Sequence, residues 1–194
     1  MIRPTLVIML KEPRPGRVKT RLGREIGMTA AAWWFRHQTA RLIRRLEDPR
    51  WRLVLAVAPD RAGLASRVWP AHLPRVAQGQ GDLGARMARL LRGVGQGPIC
   101  IIGGDIPGIR AAHVARAFAA LGAHDAVFGP APDGGYWLIG LKRSGGIPAR
   151  FLGDVRWSTE HALQDSCATL PDARIAYVDT LRDVDTAADL AQAR

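Results

Sequence analysis

The chain has 194 residues, of which 28 are basic and 17 acidic, so its formal net charge is +11. This length suffices for one domain with a substantial core, which we predict to span residues 1–194, and the charge favours a polyanionic partner such as nucleic acid or a phosphorylated small molecule. Two widely spaced cysteines argue against a disulfide framework or a zinc site, and no apolar run approaches the roughly 18 residues that a membrane span needs. We therefore expect a soluble protein of a reducing cytoplasm.

Segments typical of strands and of helices alternate along the chain. An apolar run at residues 5–10 predicts the first strand, and apolar residues at helical spacing predict a helix over residues 29–46. Further strands are predicted at residues 53–58, 98–102, 125–128, 136–141 and 174–178, and further helices at residues 61–68, 82–91, 111–121, 158–170 and after residue 186. Ser158 is expected to cap its helix, and Thr186 with Asp189 forms a capping-box pattern. This alternation predicts an α/β fold, a three-layer sandwich around a mostly parallel, doubly wound sheet.

The segment after the first strand is dense in positive charge. Residues 11–21 contain five cations, namely Lys11, Arg14, Arg17, Lys19 and Arg21, among prolines and a glycine that stop the strand. In open α/β sheets, ligands bind beyond the carboxyl ends of the strands, where Lys, Arg and backbone N–H groups can neutralise a diphosphate. We therefore predict a phosphate-binding loop; the alternative is a solvated basic surface.

Two patterns imitate nucleotide-binding motifs but lack the required context. Gly79, Gly81 and Gly84 match the GxGxxG pattern of dinucleotide sites, but the preceding segment is too short and polar for the strand that this motif needs. Residues 19–20 resemble the end of a P-loop, yet Val18 stands where that motif has glycine. A NAD-binding Rossmann site and a Walker-type ATPase are both disfavoured.

Two acidic residues stand where strands meet loops. Asp105 follows an apolar run and two glycines that would let phosphates approach, at the edge of the sheet where ligands bind. A carboxylate there suits Mg²⁺ or Mn²⁺, which take oxygen ligands, and the alternative is that Asp105 caps the next helix. Asp133 lies in a Pro/Gly-rich turn before a strand, so it can face the same cleft or be an ordinary hairpin residue.

Six motifs in this order span nearly the entire chain: KEPRPGRVKTRLG, GQGDLGARM, IIGGDIPGI, FGPAPDGGYWLIGL, VRWSTEHAL and DVDTAADL. Together they resemble the DUF2064 family, whose members are treated as glycosyltransferases with a GT-A fold, similar to nucleotide-diphospho-sugar transferases, some associated with arsenosugar biosynthesis. The motifs are more distantly similar to the guanylyltransferases of the molybdenum-cofactor and phospholactate type. Family members usually carry Thr or Ser at the position of Gly104, and Asp105 has no second aspartate two residues away.

The resemblance implies roles for particular residues of this sequence. It implies phosphate contacts for Lys11, Arg14, Lys19 and Arg21, base or ribose contacts for the turn with Gly81 and Asp82, and the metal-binding position for Asp105. It further implies that Asp133, Gly134, Gly135, Tyr136 and Trp157 border the acceptor.

The predicted function is the transfer of a sugar from a nucleotide-diphosphate sugar to a small-molecule acceptor. Mg²⁺ or Mn²⁺ at Asp105, together with Lys19 and Arg21, would stabilise the charge that builds on the leaving diphosphate. Asp133 is the predicted general base, with Asp154 and His161 as alternatives.

Two other functions stay open. The first is nucleotidyl transfer from a nucleoside triphosphate with release of pyrophosphate, since the same fold serves both reactions. The second is a basic nucleic-acid-binding domain, which would place aromatic residues among the cations of one surface. Nucleic-acid binding is disfavoured because Trp33 and Trp34 lie in a predicted helix, where core packing or homodimer contact is the simpler explanation. In addition, all but three of the cations are arginines in a chain rich in alanine and glycine, and a coding bias can produce such a composition.

Overall fold

The structure, a computed structural model, describes residues 2–144 and 146–192. The strands in these ranges are β1 (Thr5–Lys11), β2 (Arg52–Ala58), β3 (Arg75–Ala77), β4 (Ile99–Gly103), β5 (Ala126–Pro130), β6 (Tyr136–Leu141) and β7 (Ile175–Tyr177). The helices are α1 (Thr20–Ile26), α2 (Met28–Leu46), α3 (Asp60–Leu64), α4 (Leu83–Gly93), α5 (Ala111–Ala120), α6 (Ala162–Ala168) and α7 (Ala187–Gln192). None of these helices combines the length and the apolar character that crossing a bilayer requires.

The strands form one seven-stranded sheet in the order β3-β2-β1-β4-β6-β5-β7. β1 pairs in parallel with β2 and β4, β2 pairs in parallel with β3, and β5 pairs in parallel with β7. β6 runs antiparallel to both of its neighbours, and a short turn joins it to β5 as a hairpin. The prediction of a mostly parallel α/β sheet is confirmed. The amino end of β6 therefore meets the carboxyl ends of β1 and β4 at one edge.

Apolar residues on both faces of the sheet explain the unbroken apolar runs of its central strands. Leu6 and Leu10 of β1 share one core cluster with Leu42 of α2 and Val114 of α5, whereas Val7 belongs to a second cluster with residues of α4. Successive side chains of a strand point to opposite faces, so a strand covered on both sides needs apolar residues throughout. The helices α2 and α5 thus cover one face and α4 the other, which gives the predicted three layers.

The helix α1 begins at Thr20, within the last two residues of the cationic segment that the sequence predicts to be a loop. It has only seven residues, and Leu22 packs with Ala31 of α2 and with Val184 near the end of the described chain. A helix this short is marginal by itself and takes its stability from such packing. Its apolar pattern was too short to be recognised in the sequence, as was that of the three-residue strand β3.

The helix α3 ends at Leu64, not at residue 68 as the sequence predicts. The guanidinium group of Arg75 donates to the backbone carbonyls of Leu64, Ser66 and Trp69 at 3.0, 2.6 and 2.8 Å. These bonds satisfy the carbonyl group of the last residue of α3 and two carbonyl groups beyond the helix, and so stabilise the irregular path that follows α3.

The two predicted caps have different outcomes. Ser158 does not cap α6, which begins four residues later at Ala162, and its backbone is left-handed with φ 61°. Thr186 and Asp189 do form the reciprocal bonds of a capping box: the Thr186 N–H donates to Oδ2 of Asp189 at 2.9 Å, and the Asp189 N–H donates to Oγ1 of Thr186 at 3.2 Å. The second prediction is confirmed.

Candidate active site

A cavity of about 780 Å³ lies at the sheet edge where β1 and β4 end and β6 begins. This volume is typical of small-molecule and cofactor sites. Most of the site residues predicted from the sequence line it: Lys11, Lys19, Arg21, Gly81, Asp82, Asp105, Asp133, Gly135, Tyr136 and Trp157. Arg14 is exposed and, like Gly134, lies outside the lining, whereas the neighbouring Arg17 belongs to it.

An ammonium group held by carboxylates forms part of the cavity wall. The Nζ atom of Lys19 lies 2.6 Å from Oδ2 of Asp105, 2.6 Å from Oδ1 of Asp185 and 3.6 Å from Oδ2 of Asp183. Only 6% of the Lys19 side chain is exposed, so salt screens these ion pairs weakly. The sequence predicts a phosphate partner for Lys19, and in the structure its partners are three carboxylates of the protein.

Asp183 and Asp185 are site residues that the sequence alone did not reveal. They follow β7, in a segment that returns to the carboxyl edge of the sheet, where the Val184 N–H donates to the Asp105 carbonyl at 3.4 Å. Val184 is 2% exposed and packs with Leu22, while both aspartates line the cavity. The buried Val184 thus fixes the position of this segment, and Asp183 and Asp185 on either side of it face the cavity. An apolar residue between two aspartates after the last strand is the signal that could have identified them.

The two glycines before Asp105 make room for the protein's own side chains. A Cβ atom at Gly103 would lie 2.9 Å from Oδ1 of Asp105, and one at Gly104 would collide with the side chain of Leu10. Both glycines line the cavity, so the suggestion from the sequence that they leave space for phosphates stays a prediction. Asp105 does not cap the next helix, because the N-cap of α5 is Arg110.

The environment shifts the protonation of the carboxylate cluster. Burial lowers the pKa of Lys19, but its contacts with Asp105 and Asp185 outweigh burial, so the pKa is raised overall and the ammonium stays charged. Burial raises the pKa of Asp183 to about 6; Lys19 opposes this rise, while Asp185 and Asp105 add to it. Three carboxylates face one ammonium group in this cluster, and this excess of negative charge favours a further cation.

The hairpin between β5 and β6 brings Asp133 to the cavity. The Gly135 N–H donates to Oδ1 of Asp133 at 3.0 Å, and the Ala131 N–H donates to the Gly135 carbonyl at 3.0 Å. Asp133 is therefore both a hairpin residue and a cavity residue. The alternative general bases, Asp154 and His161, are outside the cavity lining.

Aromatic rings form another part of the cavity wall. Tyr136 and Trp157 stand edge to face, with ring centroids 6.4 Å apart. The hydroxyl of Ser166 donates to that of Tyr136 at 3.1 Å, and burial raises the pKa of Tyr136, so its hydroxyl stays protonated. The two rings thus present apolar surface to the cavity.

The turn between β3 and α4 is fixed by polar contacts that the sequence does not reveal. Gln78 is buried, and its Nε2 atom donates to the carbonyls of Leu10 and Ala56 at 3.0 and 2.9 Å. Oδ1 of Asp82 accepts the Ala85 N–H at 2.8 Å, so Asp82 is the N-cap of α4 as well as a cavity residue.

The charges within the cavity are balanced. Its lining contains five basic residues, Lys11, Arg17, Lys19, Arg21 and Arg86, and five acidic ones, Asp82, Asp105, Asp133, Asp183 and Asp185. The surplus positive charge of the chain therefore lies elsewhere, and net charge is a poor guide to this site.

The two tryptophans of α2 have different environments. Trp34 packs against the core, as the sequence suggests, whereas Trp33 is 55% exposed, stacked on His37 with the guanidinium of Arg36 5.7 Å from its ring. A homodimer contact through Trp33 stays a prediction.

The carboxylate cluster offers oxygen ligands suited to a divalent cation. One oxygen from each of Asp105, Asp183 and Asp185 lies within 4.8 Å of the others. An anionic set of oxygen ligands suits hard cations such as Mg²⁺ and Mn²⁺. Two of the carboxylates already converge on one cationic atom at 2.6 Å, so these residues fit such an ion.

Solved structures of other proteins share this fold. One is a candidate nucleotide-diphospho-sugar transferase from Desulfovibrio desulfuricans G20, with 29% sequence identity and a TM-score of 0.87, covering 98% of this chain and 85% of that one. A second is Rv0371c from Mycobacterium tuberculosis H37Rv in complex with manganese, at 16% identity and a TM-score of 0.55, covering 99% and 97% of the two chains. A third is 4-diphosphocytidyl-2C-methyl-D-erythritol synthase from Anaerococcus prevotii DSM 20548, at 10% identity and a TM-score of 0.58, covering 98% and 95%.

These similarities establish a fold like that of nucleotide-diphospho-sugar transferases. No functionally curated protein matches the sequence significantly. A family model described as an uncharacterised protein conserved in bacteria, DUF2064, matches residues 41–159, which is more than half of the chain. The chain therefore belongs to the DUF2064 family.

Proposed function

We propose that this protein is a metal-assisted glycosyltransferase that moves a sugar from a nucleotide-diphosphate sugar to a small-molecule acceptor. The observation that carries this proposal is the cluster of Asp105, Asp183 and Asp185, which converges at the ligand-binding edge of the sheet beside a set of cations. The name of the structurally similar protein from Desulfovibrio desulfuricans supports the same class of donor.

The chain's own residues suit both halves of such a donor. Lys11, Arg17 and Arg21 line the cavity and can bind the oxygens of a diphosphate through charge-assisted hydrogen bonds. The turn at residues 78–82, fixed by Gln78, borders the same cavity and is proposed to contact the base or ribose. Trp157 and Tyr136 are proposed to border the acceptor, with Gly135 between them and Asp133.

Two of the proposed steps depend on carboxylates. Asp105, Asp183 and Asp185 would hold Mg²⁺ or Mn²⁺, whose charge offsets the negative charge that develops on the leaving diphosphate. Asp133 would accept the proton of the acceptor hydroxyl as it attacks the sugar carbon. Asp133 is the best placed of the candidate bases because it lines the cavity and its carboxylate is oriented by the Gly135 N–H.

Nucleotide binding tests the proposal without knowledge of the acceptor. UDP, GDP and their sugar conjugates are expected to raise the melting temperature more with Mn²⁺ or Mg²⁺ than with EDTA, because a bound ligand stabilises the folded state by mass action. The measurement is a thermal-shift titration over the nucleotide panel. Absence of any shift up to millimolar nucleotide would rule out the proposed function.

A further inference from the structure

The position of the Lys19 ammonium group has a consequence for cation binding. Its Nζ atom contacts Oδ2 of Asp105 and Oδ1 of Asp185 at 2.6 Å each, and therefore lies between the two oxygens that a bridging divalent cation would use, at a distance about 0.5 Å longer than an Mg²⁺–oxygen bond. A divalent cation that used the same two oxygens would occupy the same place. Two cations cannot share it, because like charges at such a distance repel strongly in a shielded site.

We infer that Lys19 occupies the divalent-cation position of the metal-free protein, and that it moves to the phosphates of the donor when a metal ion binds Asp105 and Asp185. This inference rests on the proposed function. It assigns Lys19 a positioning role: the ammonium keeps the carboxylates together without metal, and its release couples metal binding to phosphate binding.

The surroundings of Lys19 allow such a movement. Lys19 lines the cavity itself, beside Arg17 and Arg21, so its side chain need not cross the core to reach a ligand there. A lysine side chain is a flexible stem with a point charge that rotates readily between partners. A diphosphate bound to Arg17 and Arg21 would supply the negative charge that the ammonium loses on leaving the carboxylates.

The first test measures Mn²⁺ affinity without nucleotide, from the electron paramagnetic resonance signal of the free ion at pH 8. Lys19→Met removes the competing ammonium and is expected to raise the affinity at least about tenfold. Arg21→Met is the matched control, because Arg21 also pairs with Asp185, at 3.3 Å, but is 71% exposed. It removes the same charge without vacating the position, so its expected effect is less than about threefold.

A double variant separates displacement from net charge. Lys19→Met with Asp183→Asn leaves two carboxylates and no ammonium, and so keeps the charge of the original three carboxylates and one ammonium. It is expected to bind Mn²⁺ more tightly than the parent, because the oxygens of Asp105 and Asp185 are no longer engaged. It also guards against poor folding of the single variant, in which Asp105 and Asp183 lose the ammonium group that faces them.

The second test uses the unmodified protein. The chain has only three lysines, Lys11, Lys19 and Lys142, so reductive methylation followed by peptide mass spectrometry reports each one separately. Lys19 is expected to react slowly without metal and several-fold faster with Mn²⁺, while Lys142, whose ammonium bonds to the Gly122 carbonyl, is unchanged. Addition of pyrophosphate with Mn²⁺ is expected to protect Lys19 again.

The outcomes distinguish this inference from the proposed function. If Lys19→Met binds Mn²⁺ no more tightly than Arg21→Met, and Mn²⁺ leaves the methylation of Lys19 unchanged, the exchange is disproved while a metal-assisted transferase still stands. If neither the parent nor any variant binds Mn²⁺, with or without nucleotide, both are overturned.

Discussion

Asp105→Asn is expected to abolish the metal-dependent part of nucleotide binding and to lower sugar transfer at least about 100-fold. Asparagine keeps the shape of the side chain but removes the charge that holds a hard cation. The metal-free protein should lose little stability, because Lys19 keeps its ion pair with Asp185 and the repulsion within the cluster falls. Thermal-shift titrations with nucleotide, with and without Mn²⁺, measure the stability of the variant and its metal-dependent nucleotide binding in one experiment.

The matched control is Asp172→Asn, which removes a carboxylate from an exposed position outside the cavity lining. This variant should bind nucleotide and metal like the parent. A metal-dependent shift of parental size in Asp105→Asn would show that the cation binds elsewhere.

Gly134→Ala is expected to destabilise the fold by at least about 3 kcal/mol and to disable the site. Gly134 has φ +82°, where a side chain is strained, and a Cβ atom there would lie 2.5 Å from Cα of Glu160 and closer still to its carbonyl oxygen. Backbone atoms cannot move aside as a flexible side chain can. The hairpin that carries Asp133 would have to shift, so both stability and transfer should fall. A fall of about 6–12 °C in melting temperature is expected for a chain of this size.

Gly93→Ala is its control, since Gly93 ends α4 and a Cβ there would meet nothing within 4 Å. Alanine at such a position should leave the melting temperature unchanged or slightly raised. A Gly134→Ala variant with parental melting temperature and activity would disprove the tight packing of the hairpin against Glu160.

The sequence predicts the sheet well because a strand that is buried on both faces appears in the sequence as a continuous apolar run. The apolar runs of β1, β2 and β4 contain no polar residue within their buried centres, as expected of strands covered on both sides. Short elements do not produce such a recognisable pattern in the sequence. The helix α1 and the strand β3 depend on contacts with distant parts of the chain, which local patterns cannot show.

The same limit applies to the site. The positions of Asp105 and Asp133 at the ends of strands are visible in the sequence, because a strand end at the sheet edge is a local feature. The ion-pair partner Asp185 of Lys19 is not visible in the sequence, because it lies 166 residues further along the chain. The cations of residues 11–21 predict a phosphate contact for Lys19, which stays a prediction, and the ion pairs with Asp105 and Asp185 come in addition to it. Arg14 illustrates the reverse case, a cation of the same segment that the fold leaves outside the cavity.

The most direct test of a sugar-transferring enzyme is the identity of the products it forms without an acceptor. Purified protein with Mn²⁺ and a panel of UDP- and GDP-sugars is expected to release nucleoside diphosphate and free sugar slowly, because water can enter the acceptor side of the cavity. Chromatography of the nucleotide products measures this, and Asp105→Asn should suppress it. Release of pyrophosphate from a nucleoside triphosphate, with no hydrolysis of any sugar donor, would contradict glycosyl transfer and indicate nucleotidyl transfer.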